Sequence, residues 1–415
     1  MRGSFFTVDG EPCRRHRAKI QSILSNPRML ALITHACHSK VEGGLLPFLT
    51  RMADAGTPFD MQQLNTRYAF DVTATPVFGA DPGLLSPAMP PVHVTDAMDT
   101  VMEVPFFRHT MPAFCWKVMR RLGIGPERRL AAAQTVLREF VANMMETGKQ
   151  QVAHGDIVQK QQHEEDDEAA ALLNIQSSYI SDPDYRDEVL HATLINYLIA
   201  GRDTVGTGLS WLWYNISNNP SVLLSIRKEL KPIASRKAAG TNKLGPHAMV
   251  TFAPEETKEL VYLQAAVFET LRLHPPAPIE RKTALGDDTL PSGHEMRAGD
   301  TVLISLYAMA RMESVWGEDC REYRPERWLS DDGSKLQYVP SHKFLTFSSG
   351  PRMCLGKDIG VMQVKTAVAN MAWNFDVELV EGHAAVEPKL SCILRMKNGL
   401  MMKVKKRVEC DTVRS

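Results

Sequence analysis

Up to Arg272 the apolar positions of the chain recur mostly at helical spacing, and beyond it they break into short alternating pieces. Asp9-Gly10-Glu11 is a turn and cap signal that opens a helix carrying Arg17 and Lys19. A second helix is expected over about 62–77, ended by Pro82 and Gly83, with a rigid loop over Pro87, Pro90 and Pro91. The helical pattern resumes over about 94–146. The polar run from Lys149 to Glu168 reads as a solvated loop. From Glu188 to Ile216 apolar residues cover nearly every face, the pattern of a helix buried at the centre of a large protein. The stretch 231–252, with Gly240, Gly245 and Pro246, reads as a loop.

Pro275, Pro276 and Pro278 stop a further helix that carries Leu263, Ala266 and Val267. Short strands with turns follow to Ile304, then Pro- and Gly-rich loops to Cys354. A strong helix is expected over about 357–373, and the tail from Val377 to Val408 alternates like β-hairpins. The expected fold is mainly α with a minor β portion late in the chain. It is expected to form one domain over 1–415, although length alone would allow two or three.

Composition narrows the function classes. Lys plus Arg equals Asp plus Glu at 48 each, so no basic excess points to nucleic acid as a partner. The cysteines (Cys13, Cys37, Cys115, Cys320, Cys354, Cys392 and Cys410) are odd in number and widely spaced, with no CxxC pair. That pattern argues against a disulfide framework or a zinc site and fits a reducing compartment. No apolar run approaches the ~18 residues that span a bilayer, and no signal-peptide pattern follows Met1.

The densest chemical signal is Phe347-Ser-Ser-Gly350-Pro-Arg352-Met-Cys354-Leu-Gly356, an FxxGxRxCxG pattern. Five fixed residue types make a chance match in such a chain on the order of one in ten thousand. A thiolate bound to iron must be deprotonated, and Cys354 sits just before an expected helix N-terminus. Backbone N–H groups and the positive end of that helix are expected to lower the cysteine pKa. Gly350 and Gly356 are expected to turn the loop tightly and let a porphyrin approach the backbone, and Arg352 to pair with a heme propionate. On the long central helix, Asp203 is an acid in apolar surroundings, which is costly without a purpose. Gly201 and Gly206 beside it each weaken the helix by ~1 kcal/mol and suggest a local widening.

The cysteine loop resembles the cysteine-ligand loop of the cytochrome P450 family. Three other family marks follow that family's order. Ala200-Gly201-Arg202-Asp203-Thr204 resembles its oxygen-activation motif, Glu269-Thr-Leu-Arg272 its ExxR pair, and Pro325-Glu326-Arg327-Trp328 its meander segment. The match runs from about Phe6 to the C-terminus. The resemblance implies heme b (iron protoporphyrin IX) with Cys354 as axial ligand, and insertion of one oxygen atom into a C–H bond of a hydrophobic substrate. It implies that Thr204 bonds the dioxygen and Asp203 relays protons, with a changed water network because Val205 replaces a second hydroxyl. Glu269, Arg272 and Arg327 are implied to be a structural network. Arg17 and Lys282, with Arg281 as competitor, are implied propionate partners, and Cys13 stands where the family has a tryptophan. Electrons are implied to come from NADPH-cytochrome P450 reductase at the endoplasmic reticulum membrane.

Four stretches are similar to a plant branch of mid-chain alkane and long-chain fatty-acid hydroxylases, some of whose relatives couple phenols. They are 80–86, 262–266, 290–294 and 309–317. Pocket-lining candidates are Tyr197, Ile199 and the loops after Pro275 and around Cys392. Family members normally start with a membrane helix and the first helices and strands, whereas this chain begins at about the third helix of that plan. The expectation is an open strand edge after Pro278 and weak heme binding, with a catalytically inactive remnant as the second reading.

Overall fold

The apolar run after Glu188 folds as one unbroken 32-residue helix, Asp187–Asn218, and the other elements are arranged around it. The computed structural model describes residues 5–160, 174–180, 182–240, 249–382, 386–389 and 391–407, with backbone alone over 152–160 and at 240. In chain order the helices are α1 (Gly10–Leu24), α2 (Pro27–Lys40), α3 (Leu46–Ala55), α4 (Met61–Phe78), α5 (His93–Arg108), α6 (Ala113–Leu122), α7 (Gly125–Lys160), α8 (Ser177–Ile180) and α9 (Asp187–Asn218). They continue as α10 (Pro220–Gly240), α11 (Pro254–Thr257), α12 (Val261–Leu273), α13 (Leu306–Met309), α14 (Glu313–Trp316) and α15 (Lys357–Asn374). The strands are β1 (Phe59–Asp60), β2 (Ile279–Thr283), β3 (Asp288–Thr289), β4 (Glu295–Met296), β5 (Thr301–Ser305), β6 (Phe375–Leu379) and β7 (Met401–Lys406). The fold is therefore mainly α with a minor β part.

The strands form an antiparallel sheet in the order β1-β7-β6 and two separate antiparallel pairs, β2–β5 and β3–β4. β6 and β7 pair antiparallel from Phe375↔Lys406 to Leu379↔Met402, with residues 380–400 between them and a further antiparallel bridge at Pro388↔Met396, so the alternating tail forms one hairpin with a long connection. The β2–β5 pair is open, as expected, with Ile279 46% and Leu303 66% exposed.

Two apolar cores share α9. Leu190, Leu194 and Leu198 pack with Val101 of α5 and Leu137 and Val141 of α7, while Leu209, Leu212 and Trp213 pack with α12, α15 and the β6–β7 strands. Helix α4 also serves both cores, through Phe70 on one side and Val72 on the other. It crosses α9 closely, and the two glycines of the central helix explain how. A Cβ on Gly201 would lie 2.2 Å from Thr73 Oγ1 and 2.5 Å from Thr73 Cγ2, and one on Gly206 3.1 Å from Thr66 Cα. The expected widening at Gly201 and Gly206 is thus corrected: the helix is continuous, and the glycines admit the neighbouring helix.

Two expected loops are also helical. In α10 the buried positions Val222, Ile226, Leu230 and Ala234 continue one stripe at four-residue spacing past Pro232, and this packing outweighs the proline. In α7 the stripe of Leu130, Ala133, Leu137, Val141 and Met144 carries the helix through Lys149 to Lys160. Residues 161–168 and 241–248 of those expected loops lie outside the described residues.

Gly201→Ala tests the close crossing. The added methyl meets all three side-chain heavy atoms of Thr73, Cβ included at 2.9 Å, so no rotamer change clears it. Overpacking costs ~1–3 kcal/mol, more than the ~1 kcal/mol gained in helix propensity. The thermal midpoint should fall in the native background and should fall by less when Thr73→Ala, which removes the two nearest atoms, is already present.

His274 supplies a pH dependence. Its ring stacks on Trp211 with centroids 4.1 Å apart. Burial and the Arg311 and Arg272 charges lower its pKa to about 3. Unfolded histidine titrates near 6.5. Below that value the unfolded chain gains a proton that the folded one refuses, so this contribution to stability is present above pH ~6.5 and is lost as the pH falls, by at most ~1.4 kcal/mol per unit. His274→Phe keeps an aromatic stack and should flatten the fall of urea stability between pH 7 and 5.

Candidate active site

The Cys354 loop reverses direction at Ser348 and Gly350, whose φ values are +56° and +59°. Gly350 therefore has its expected conformational role. A 3-10 turn over Gly350–Arg352 follows, and the Cys354 N–H donates to the Phe347 carbonyl at 2.8 Å. The Phe347 ring packs against Phe344 and Phe268 at centroid distances of 6.0 and 6.4 Å. Lys357 Nζ lies 5.4 Å from its centroid. Gly356 differs from expectation. Its φ of −96° suits any residue, and a Cβ there would meet nothing within 4 Å, so it leaves room beside the cysteine instead of making the turn.

Cys354 is exposed, at the start of α15. Burial of its inner side raises the thiol pKa, against a Gly356 N–H hydrogen bond and the Arg17 and Lys357 charges. The expected lowering is corrected: in the protein alone crowding wins, and deprotonation falls to a coordinating metal, which removes the proton outright.

A second surface faces outward nearby. From Ala192 to Trp213 every residue of α9 is buried except Ala200, Gly201 and Thr204. Ala200 and Thr204 are one turn apart, so the opening lies on one face. Next to it α15 meets α9, the Gly360 Cβ position being 3.7 Å from Val205 Cγ2. Thr204 Oγ1 donates to the Ala200 carbonyl at 2.6 Å, a back-bond within its own helix that leaves its acceptor capacity free. Asp203 is buried on another face. Its Oδ1 accepts from Arg202 Nη1 at 2.5 Å, and its Oδ2 has no partner among the described residues. Burial raises its pKa, and the Arg202 charge opposes this.

Glu269 organises the loops around α12. Arg272 donates to both its oxygens, Nε at 2.7 Å and Nη2 at 2.8 Å, and Arg327 Nε approaches at 3.3 Å. The Arg324 N–H at 3.0 Å and Trp328 Nε1 at 2.9 Å complete the carboxylate's shell. Arg272 also donates to the carbonyls of Ala310, Cys320 and Glu322, and Arg327 to those of Trp316 and Asp319 and to Asp319 Oδ1. The structure thus brings together the three expected residues and adds Trp328, Asp319 and the Arg324 amide. A tryptophan beside an arginine in the Pro325–Trp328 turn was the only available sequence signal for them.

The expected propionate cations are scattered. Arg17 Nη2 donates to the Met353 carbonyl at 2.6 Å, beside the cysteine. Arg352 is instead directed to the N-terminal segment, donating to the Val8 carbonyl at 2.7 Å and pairing with Asp9. That pairing also explains why Asp9 does not cap α1. Lys282 lies exposed on β2, 2.8 Å from Glu280. The pocket candidate Tyr197 is buried with its hydroxyl 3.0 Å from that of Tyr179.

The Cytochrome P450 family model matches residues 2–404. The chain is a cytochrome P450. Among its relatives, noroxomaritidine synthase 2 of Narcissus aff. pseudonarcissus MK-2014 is 35% identical over 97% of this chain and 76% of that protein. Cytochrome P450 86B1 of Arabidopsis thaliana is 33% identical over 96% of this chain and 69% of that protein. Alkane hydroxylase MAH1 of the same plant is 33% identical over 97% and 76%. Membership makes the chain a monooxygenase of the heme-thiolate type, acting on hydrophobic substrates and drawing on a redox partner.

The residues present fit such a group. This P450 offers an exposed cysteine on a turned loop, a missing side chain at Gly356 close to it in sequence, and a single-faced opening on α9 at Thr204. An exposed thiol beside a helix start, with Arg17 close by, is the donor set a flat, anionic iron macrocycle needs. No described helix of this P450 is long and apolar enough to cross a membrane.

The Glu269 cluster gives a stability prediction. Removing one partner of a buried ion pair leaves the others uncompensated and costs ~3–5 kcal/mol. An exposed pair is worth less than ~1 kcal/mol. Glu269→Ala should therefore shift the urea midpoint far down, whereas Glu11→Ala, which breaks the exposed Glu11–Arg14 pair, should barely move it.

Proposed function

We propose that residues 1–415 work as a single heme domain that hydroxylates a long aliphatic chain, an alkane or a fatty-acid derivative. Heme b binds through Cys354, and electrons come from NADPH by way of cytochrome P450 reductase at the endoplasmic reticulum membrane. The observation that carries this reading is the exposed Cys354 residue just before α15, the helix that meets the otherwise buried α9 at Val205, next in sequence to the exposed Thr204. The similarity to an alkane hydroxylase supports the substrate class. Helix α6 supports the membrane setting: Phe114, Val118 and Leu122 are 51–68% exposed at four-residue spacing, beside Lys117, Arg120 and Arg121. Two cores that share α4 and α9 support a single domain.

Heme, when bound, supplies the activation of dioxygen. The protein's part is to hold and to exclude. The Gly356 N–H and the positive end of α15 favour the charged form of the Cys354 sulfur. Arg17 takes a propionate, with Lys282 as the second candidate. Phe347 covers the sulfur side, and Gly350 and Gly356 keep the loop bare enough for a flat group. With heme bound, Thr204 Oγ1 would orient a small polar group at the opening of α9, and Asp203 would hold or release a proton at Oδ2, the oxygen Arg202 leaves free. Glu269, Arg272 and Arg327 brace the loops without touching substrate. A second reading, a chain that holds heme too weakly to act, draws support from the open β2–β5 pair and from the pairing of Arg352 with Asp9.

Loading the full chain with hemin, reducing it and adding carbon monoxide should give the red-shifted band of a thiolate-bound heme, and Cys354→Ala should lose it. With reductase and NADPH, alkanes or long-chain fatty acids should gain a hydroxyl. Thr204→Ala should divert a larger share of electrons to peroxide. A chain that stays colourless supports the second reading, and turnover confined to noroxomaritidine precursors removes the aliphatic one.

A further inference from the structure

Between α5, α9 and the loop over 391–397 runs a row of four alternating charges that sequence reasoning did not single out beyond Asp203. Arg202 Nη1 lies 2.5 Å from Asp203 Oδ1, Arg202 Nη2 lies 2.8 Å from Asp99 Oδ1 on α5, and Arg395 Nη1 pairs with the same Asp99 oxygen. Arg202 Nη2 also donates to the Thr95 carbonyl at 3.3 Å. The side chains of Arg202 and Asp203 are 1% and 2% exposed, whereas Asp99 and Arg395 reach 25% and 15%. The row therefore runs from the interior of α9 towards solvent.

Burying a guanidinium and a carboxylate costs several kcal/mol per ion unless the remaining donors and acceptors are met. Here, among the described residues, they are not: Arg202 Nε and Asp203 Oδ2 are buried without partners. The Glu269 cluster differs, because every polar atom of its carboxylate is engaged. A closed network suits bracing, and an open one commits one carboxylate oxygen and leaves the other available. The outer half of the row also ties α5 and α9 to the loop over 391–397. The Cys392 N–H donates to the Met102 carbonyl of α5 at 3.3 Å, Lys389 pairs with Glu103 of α5, and the Leu394 carbonyl accepts from Trp211 Nε1 of α9 at 2.6 Å.

We propose that Arg202 is a positioning residue that sets the charge state and orientation of Asp203, and that Asp99 on α5 decides how much of Arg202 is given to it. This rests on the reading of Asp203 as the residue that handles protons. One guanidinium serves two carboxylates, so the outer pair acts on the inner one with a definite sign. Without Asp99, Arg202 belongs wholly to Asp203 and a repelling negative charge is gone, so Asp203 stays ionised to lower pH. Without Arg395, Asp99 draws Arg202 away, and Asp203 takes up its proton at higher pH. The charged groups facing Asp203 are Arg202 of its own helix, Asp99 of α5 and Arg395 of the loop.

Carbon-13 NMR of the full chain labelled at the aspartate carboxyls reads this without heme, the Asp203 signal being the one lost in Asp203→Asn. Arg202→Gln should raise the Asp203 titration by about one pH unit or more, and Arg202→Lys should restore most of it. Asp99→Asn should lower it and Arg395→Gln should raise it; both sites are partly exposed, so these variants keep the fold should Arg202→Gln fail to fold. In the heme-loaded enzyme, the solvent deuterium isotope effect on turnover should change in the same order. An unmoved Asp203 titration in Arg202→Gln, or shifts of the same sign in Asp99→Asn and Arg395→Gln, overturns the proposal. Normal coupling of electrons to product in Asp203→Asn instead sinks the proton-handling reading while leaving the titration result to stand by itself.

Discussion

The burial of α9 is the constraint on which the rest depends. A helix that is apolar on nearly every face gains its stability from packing, and it must be enclosed along its whole length. Enclosure requires α4 to approach within the width of a missing methyl at Gly201 and of a backbone contact at Gly206. Where that enclosure is incomplete, at Ala200, Gly201 and Thr204, the helix has its single outward turn. The site is thus a local exception to packing, placed by the packing around it. Two cores fill the two ends of the same helix, so the opening near its middle falls between them.

The cysteine loop is placed by α15, which meets α9 at Val205 and Gly360, and by the loops that precede it. Thr346 Oγ1 bonds the Leu271 carbonyl of α12 at 3.0 Å, and Phe347 packs against Phe268 of the same helix. Helix α12 in turn carries Glu269 and Arg272; together with Arg327 they gather the backbone of 310–322 by five hydrogen bonds from the two arginines to carbonyls, while Trp328 donates to Glu269. Irregular chain of this length has few backbone partners of its own, so side-chain donors must supply them. This explains why arginine is required: its five donors in a planar fork serve a carboxylate and several carbonyls at once.

How much of this was legible in the sequence depended on whether the physics was local. The long apolar pattern of α9, the turn at Gly350 and the Glu269–Arg272 spacing are properties of neighbouring residues, and each was found where expected. The errors came from local signals that distant contacts override. Pro232 marked a loop, but the buried stripe of Val222, Ile226, Leu230 and Ala234 holds a helix through it. Gly201 and Gly206 marked a widened helix, but their meaning lies in Thr73 and Thr66, well over a hundred residues away in the chain. Arg352 was assigned to a propionate from its place in the loop, and its partner in the fold is Asp9. Helix-start electrostatics argued for an acidic Cys354 thiol, yet crowding outweighs them in the protein alone. No one-dimensional pattern carries those distances.

The two buried charge networks show why the same residue types serve different ends. Around Glu269 every oxygen and nearly every guanidinium nitrogen is matched, and the partners are backbone carbonyls that belong to separate loops. Breaking any one contact there would leave polar groups in low dielectric, so the arrangement is stiff. Around Arg202 the matching stops one bond short on each side, and its outer member, Asp99, is shared with Arg395 at the edge of solvent. Arg202 bonds both carboxylates at once, so its charge is shared between Asp203 and Asp99. Coulomb attraction changes by kilocalories over ångströms at such separations. A closed network therefore suits the bracing of loops around α12, and an open one leaves the charge at Asp203 sensitive to its neighbours on α9 and α5.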